Sequence, residues 1–243
     1  MLSRVPVLLS FLFLVVAVPV ALVLALLSPV VGIVVGLIAG AAFVTWVWRS
    51  ADASMTAGLA TRRSDEATDP RLHNVLGGLC DTRGVRRPTV LVVDSNAGNG
   101  AAYGRSAATP YLLITRGALD SLSRLELEGF LARLIVPFAN PQLAGATVIV
   151  PVLGLLPGGL RRAVQHRFLA DQRWLRDDFD AVGVTRYPPG LRGAYVALEP
   201  RATVIPGVRA GAAHLWVTAA FEPGDVTPDN PTLGERIDAL GEL

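Results

Sequence analysis

A chain of 243 residues that is 51% hydrophobic and 17% charged is too apolar for an ordinary soluble domain. All 22 basic residues are scattered arginines, the formal net charge is only +2, and no basic stripe interleaves with aromatics, so nucleic acid is not an expected partner. Cys80 is the sole cysteine, which excludes an intrachain disulfide and is compatible with a reducing compartment.

The apolar excess lies at the start of the chain. Residues 5–27 carry no charge over 23 positions and residues 29–48 none over 20. Each run is long enough to cross a hydrocarbon core of about 30 Å at about 1.5 Å per residue. A signal peptide competes as a reading of the first run, but that run is longer than an h-region and a second follows directly after Ser28. A two-helix membrane hairpin over residues 1–48 is therefore expected. Arg4 precedes the first span, Arg49, Arg62 and Arg63 follow the second, and the turn is uncharged. This bias places both termini and the main domain in the cytoplasm of a multi-pass membrane protein. Trp46 and Trp48 stand where interfacial anchors are expected. Gly32, Gly36 and Gly40 give the second span a face of small residues, suited either to packing the two spans together or to docking another membrane protein.

Residues 49–68 read as a juxtamembrane linker or short helix. A helix follows at 73–80, then short β-branched runs at Thr89–Val93 and Tyr111–Thr115, separated by a loop at 95–110. Ser123 caps the next helix with Glu126 as its capping-box partner. Leu127, Phe130, Leu131, Leu134 and Ile135 then recur at helical spacing. Residues 134–160 are uncharged but broken by Pro137, Pro141, Pro151 and Pro157 and by glycines. They fit either a re-entrant or interfacial hairpin, with Arg161 and Arg162 at the membrane surface, or a buried loop and short helix within the domain. Further helical regions are expected at 160–183, 189–199 and 233–240. The fold class expected is α+β, mainly helical, with a small β-sheet after the membrane hairpin.

The order of several segments carries a resemblance. Asp69-Pro70-Arg71-Leu72, Arg87-Pro88, Asn99-Gly100-Ala101-Ala102-Tyr103-Gly104, the run from Tyr111 to Leu119, Glu126-Leu127-Glu128-Gly129-Phe130-Leu131-Ala132, Asp178-Phe179-Asp180-Ala181-Val182 and Asn230-Pro231-Thr232-Leu233 with Glu235-Arg236-Ile237 follow one another along the chain. Together they resemble the HtpX-type membrane metallopeptidases, gluzincins with transmembrane helices and a cytoplasmic zinc domain. The resemblance covers roughly residues 66–243 and implies a metallopeptidase-fold domain at 69–243, with a hydrophobic, membrane-dipping or buried insert at 134–160.

What the resemblance implies about chemistry is not met by the residues. The family's helix carries His-Glu-x-x-His, two imidazoles one turn apart facing zinc and a Glu activating its water. Here those three places hold Arg133, Leu134 and Pro137, and the third ligand, a Glu in the family, is Trp174. Arginine has no lone pair to donate, leucine is no base, and proline has no ligand atom and breaks helices. Trp174 reads as filling the volume of the missing site. Asp178 matches a carboxylate that orients a ligand in active relatives; here either it pairs with Arg133 in the space of the zinc, or Arg133 is solvated. Asn230 stands in the place of a histidine. His73, His166 and His214 form no His-x-x-x-His pair and read as packed or surface side chains.

Asn99, Gly100, Ala101, Ala102 and Tyr103 match the family's substrate edge, where an extended peptide is laid by strand addition, a mode that survives loss of zinc. The leading reading is a membrane-anchored pseudo-metallopeptidase, without metal cofactor, that binds a peptide or a membrane partner such as an active family member. The alternatives are a zinc metalloendopeptidase with non-standard ligands acting on membrane proteins, and a purely structural membrane protein.

Overall fold

The structure, a computed structural model, describes residues 5–169, 173–201, 204–218 and 231–243, without the side chains of 166–169 and 173. Two apolar helices, α1 (Val5–Ala25) and α2 (Pro29–Thr56), form an antiparallel hairpin, and both are long and apolar enough to cross a membrane. Of the two readings of the glycine face, the inward one holds. A Cβ on Gly32 would lie 2.5 Å from the Ala21 carbonyl oxygen, and one on Gly36 2.6 Å from that of Ala17. The face is therefore spent on the approach of α1 to α2. Beyond Trp48, α2 continues to Thr56, so the expected linker begins as helix; its later part forms the edge strand β1 (Thr61–Arg63).

Helix α3 (Pro70–Arg83) opens at Asp69, whose carboxylate accepts two hydrogen bonds from Arg62 at 2.7 and 2.8 Å and one from Ser64 at 2.6 Å, tying β1 to the helix. The Arg62 hydrogen bonds outweigh partial burial and hold the Asp69 carboxyl down to about 2. Strands β2 (Thr89–Val93), β3 (Gly100–Tyr103) and β4 (Tyr111–Thr115) complete a mixed sheet of order β1-β2-β4-β3, with β2 and β4 parallel and both outer pairs antiparallel. β3 lies inside the stretch expected to be loop. Its Gly-Ala-Ala-Tyr sequence carries little local strand preference; the ladder to β4 and complete burial make it a strand.

After α4 (Arg116–Ser121), helix α5 (Arg124–Ile135) is the centre of the domain. A Cβ on Gly129 would meet the Leu191 backbone nitrogen at 2.4 Å, so α10 (Pro188–Leu198) lies directly on α5. The chain then turns through a 3-10 segment, Val136–Ala139, into α6 (Gln142–Val148) and α7 (Val150–Leu155), bent 90° from α5. The insert is thus helical, and Val148, Ile149 and Leu153 bury against Leu8, Leu12 and Val47 of the hairpin.

Helices α8 (Gly158–Leu169) and α9 (Arg173–Thr185) precede α10, and 3-10 turns at Glu199–Arg201 and Ala210–Leu215 follow it. The last helix, α11 (Leu233–Gly241), is closed by a Thr232–Glu235 capping box. A second anchor holds the domain on the hairpin. Arg105 bonds Asp52 and the Trp48 carbonyl, each at 2.7 Å, and stacks over the Trp48 ring at 5.3 Å.

Candidate functional site

The expected capping box of α5 forms: the Ser123 amide donates to Glu126 at 2.7 Å and the Glu126 amide to the Ser123 hydroxyl at 3.4 Å. Leu127, Phe130, Leu131, Leu134 and Ile135 turn into the core. Arg133, on the same helix, is also buried, at 4% exposure.

The cluster it joins draws on three other helices. Asp178 on α9, 1% exposed, is the hub. It accepts from Arg133 Nε at 2.8 Å, from Arg236 Nε and Nη2 at 2.7 Å each, and from the Tyr195 hydroxyl at 2.7 Å. Arg133 also reaches Asp177 at 3.2 Å. Arg236, on α11, sends its remaining Nη1 to the Val217 carbonyl at 2.6 Å, and its Nη2 also contacts the Tyr195 hydroxyl. The indole of Trp174 covers both cations, 5.9 Å from Arg133 and 5.7 Å from Arg236, and is itself only half-buried. Trp174 therefore lies over both guanidiniums.

Two guanidiniums facing two carboxylates leave the cluster electrically balanced, which is the condition for burying charge at all. Burial alone would raise the Asp178 carboxyl, but the Arg236 and Arg133 cations overcome it and hold it below the usual carboxylate range. Burial pushes the Tyr195 phenol far above its ordinary value, so it remains a donor. Of the two readings of Arg133, the ion pair with Asp178 is the one the structure shows.

These residues do not fit a zinc ion. Asp177 and Asp178 are engaged with guanidiniums, and Arg133 presents only N–H donors. Pro137 sits in the 3-10 turn, and Trp174 offers no lone pair. Among the described residues no three His, Cys, Asp or Glu side chains converge as a metal site. His73 lies 3.0 Å from the Ser64 hydroxyl and His214 2.9 Å from the Ala146 carbonyl. The His166 side chain and Asn230 lie outside what is described.

Leu134 packs on β3 so closely that a Cβ on Gly100 would be 2.9 Å from its Cδ1. Asn99, Gly100, Ala101, Ala102 and Tyr103 are all buried, because the outer edge of β3 already carries the chain's own residues 216–218. Ala101 bridges Trp216 antiparallel, and the Val217 amide donates to the Gly100 carbonyl at 2.8 Å. The Asn99 carboxamide both donates to and accepts from the Thr218 backbone at 3.1 Å. At the far end the Gly104 amide donates to Thr147 at 3.0 Å. Through its bond to Val217, Arg236 couples the ion network to this segment. Neither Tyr195 nor residues 216–218 carried any signal in the sequence, whereas Arg236 stood in the resembling terminal motif.

No family model matches the chain, and no solved structure does. Among curated proteins it is similar to the Protease HtpX homolog of Tropheryma whipplei (strain Twist), 26% identical over 84% of this chain and 82% of the relative. The Protease HtpX homolog of Dictyoglomus thermophilum is 27% identical over 70% of this chain and 68% of its own. The chain is HtpX-like. A third similarity, 30% identity to Protease HtpX homolog 2 of Methanosarcina acetivorans, covers 34% of this HtpX-like chain. With two helices long and apolar enough to cross a membrane, the HtpX-like chain is a membrane protein, and no His-Glu-x-x-His occurs anywhere in its sequence.

Proposed function

We propose that this HtpX-like membrane protein is non-catalytic and works by binding a partner through its anchored domain. The observation that carries the reading is Arg133, buried in the place of the first zinc ligand and locked to Asp178. Metallopeptidase chemistry needs three protein ligands and an open position for water, and the side chains gathered here offer donors where ligands are required. A partner peptide adds to β3 at Asn99, Gly100, Ala101, Ala102 and Tyr103 only by displacing residues 216–218, so the edge is closed in this conformation and opens in competition with the chain's own segment. The partner class is a membrane protein, an active family member included.

Protein purified without chelator is expected to hold far less than one equivalent of zinc and to leave an unfolded substrate intact. Stoichiometric zinc together with chelator-sensitive proteolysis would overturn the reading. We further propose that both termini and the domain face the cytoplasm, because Arg49, Arg62 and Arg63 follow the second span and the turn is uncharged. A reporter fused after Leu243 is expected to show cytoplasmic activity only. Activity on the outer side would show that the arginine bias does not set the orientation.

A further inference from the structure

We propose that a groove at the foot of the membrane hairpin binds the phosphate of an anionic glycerophospholipid. The groove, of about 340 Å³, lies between α2, α7 and the turn Ala210–Leu215, and its lining includes Trp46, Ser54, Val150, Leu155, Arg161 and Arg209. No carboxylate stands among the described residues that line it.

Packing builds this site from distant parts of the chain. A Cβ on Gly211 would meet the Val150 carbonyl at 2.7 Å and the Gly154 nitrogen at 2.8 Å, so only glycine lets the turn lie flat on α7 and carry Arg209 to the groove. Gln165 on α8 donates to the Ala210 carbonyl at 3.4 Å, which draws Arg161, one turn earlier, to the same place. Two guanidiniums thus converge beside α2 near the point where its uncharged run ends at Arg49. Arg209 is exposed and forms no ion pair with any described residue.

The position of the groove selects a lipid over a free anion. Trp46 and Leu155, 43% and 64% exposed, wall the groove and continue into the apolar surface of α1 and α2. A molecule with an acyl chain against Trp46 and Leu155 and a phosphate between Arg161 and Arg209 meets both halves of the lining. Guanidinium suits phosphate through paired N–H···O bonds, and basic pockets at the membrane surface hold anionic headgroups by the same means.

The test uses the full chain in neutral detergent, with stepwise lipid binding read by native mass spectrometry. Dioctanoyl phosphatidylglycerol is expected to bind at least about tenfold tighter than dioctanoyl phosphatidylcholine, and R161Q/R209Q is expected to erase the difference. Should the double variant fail to fold, R209Q alone, at an exposed side chain, is expected to weaken phosphatidylglycerol binding, with R209K, which keeps the charge but not the paired donors, between R209Q and wild type. Equal binding of the two lipids, or a preference untouched by R209Q, would overturn the proposal. So would inorganic phosphate displacing phosphatidylglycerol at matched concentration, since the site would then recognise a free anion.

Discussion

Replacing Asp178 by alanine is expected to lower the unfolding free energy by about 3–5 kcal/mol, the cost of breaking a buried ion pair by removing one partner. The loss is larger than that of a surface pair because Asp178 is 1% exposed and accepts from Arg133, Arg236 and Tyr195 at once. Its removal strands two guanidiniums in the interior, with Asp177 the one carboxylate left near Arg133 among the described residues. Chemical denaturation in micelles reads the change, with Asp178→Asn, which keeps the shape and loses the charge, expected between wild type and alanine. An alanine variant as stable as wild type would mean that the network is dispensable. The sign of the pH dependence follows from the depressed carboxyl. Asp178 binds protons less readily folded than unfolded, so its contribution is complete above the unfolded carboxylate value of about 3.9 and is lost as pH falls through the folded one. Between pH 5 and 8 the wild-type contribution is flat, and the alanine variant lacks it throughout.

Leu134→Glu, which supplies the carboxylate that the HtpX resemblance expects at this place, is expected to destabilise the domain by about 2–5 kcal/mol and to yield no protease. Leu134 is 1% exposed and packed on Gly100, and the cation beside it in sequence, Arg133, is already bonded to Asp177 and Asp178. A carboxylate placed there has no partner, and its folded pKa should lie above the ordinary value of about 4.3. The penalty is then small below that value and grows as pH rises toward the folded one. The variant's melting temperature should fall further below wild type at pH 8 than at pH 5, with Leu134→Met as a volume control close to wild type. A deficit that does not depend on pH would point to lost packing alone, and no deficit would refute the packed interior at α5. The same logic bears on rebuilding the whole motif, because Pro137 has left the α5 face for a 3-10 turn.

Local pattern carried much of the architecture. The uncharged runs of the hairpin, the Ser123–Glu126 box and the apolar faces of α5 and α11 all express intrinsic preferences over a few residues, and these survive folding unchanged. The ordered motifs made the HtpX likeness legible, and the absence of His-Glu-x-x-His was legible in the same stretch. Arg133 and Asp178 were both visible as residues, but whether they met depended on how α9 crosses α5.

What only the tertiary structure decided are the contacts between segments far apart in sequence. Asn99 and Thr218 are 119 residues apart, Asp178 and Arg236 are 58 apart, and no periodicity in either neighbourhood encodes their pairing. β3 became a strand because β4 and residues 216–218 supplied hydrogen bonds its own side chains do not favour. By itself the sequence determined the two apolar helices of the hairpin, the Ser123 cap and the absence of any His-Glu-x-x-His, since these follow from the chemistry of neighbouring residues. Tertiary structure decided that Arg133 sits in a neutralised ion cluster and that the outer edge of β3 is closed by the chain itself. The reason is physical: a buried charge or an open strand edge is costly, and only the folded chain brings within reach the groups that satisfy it.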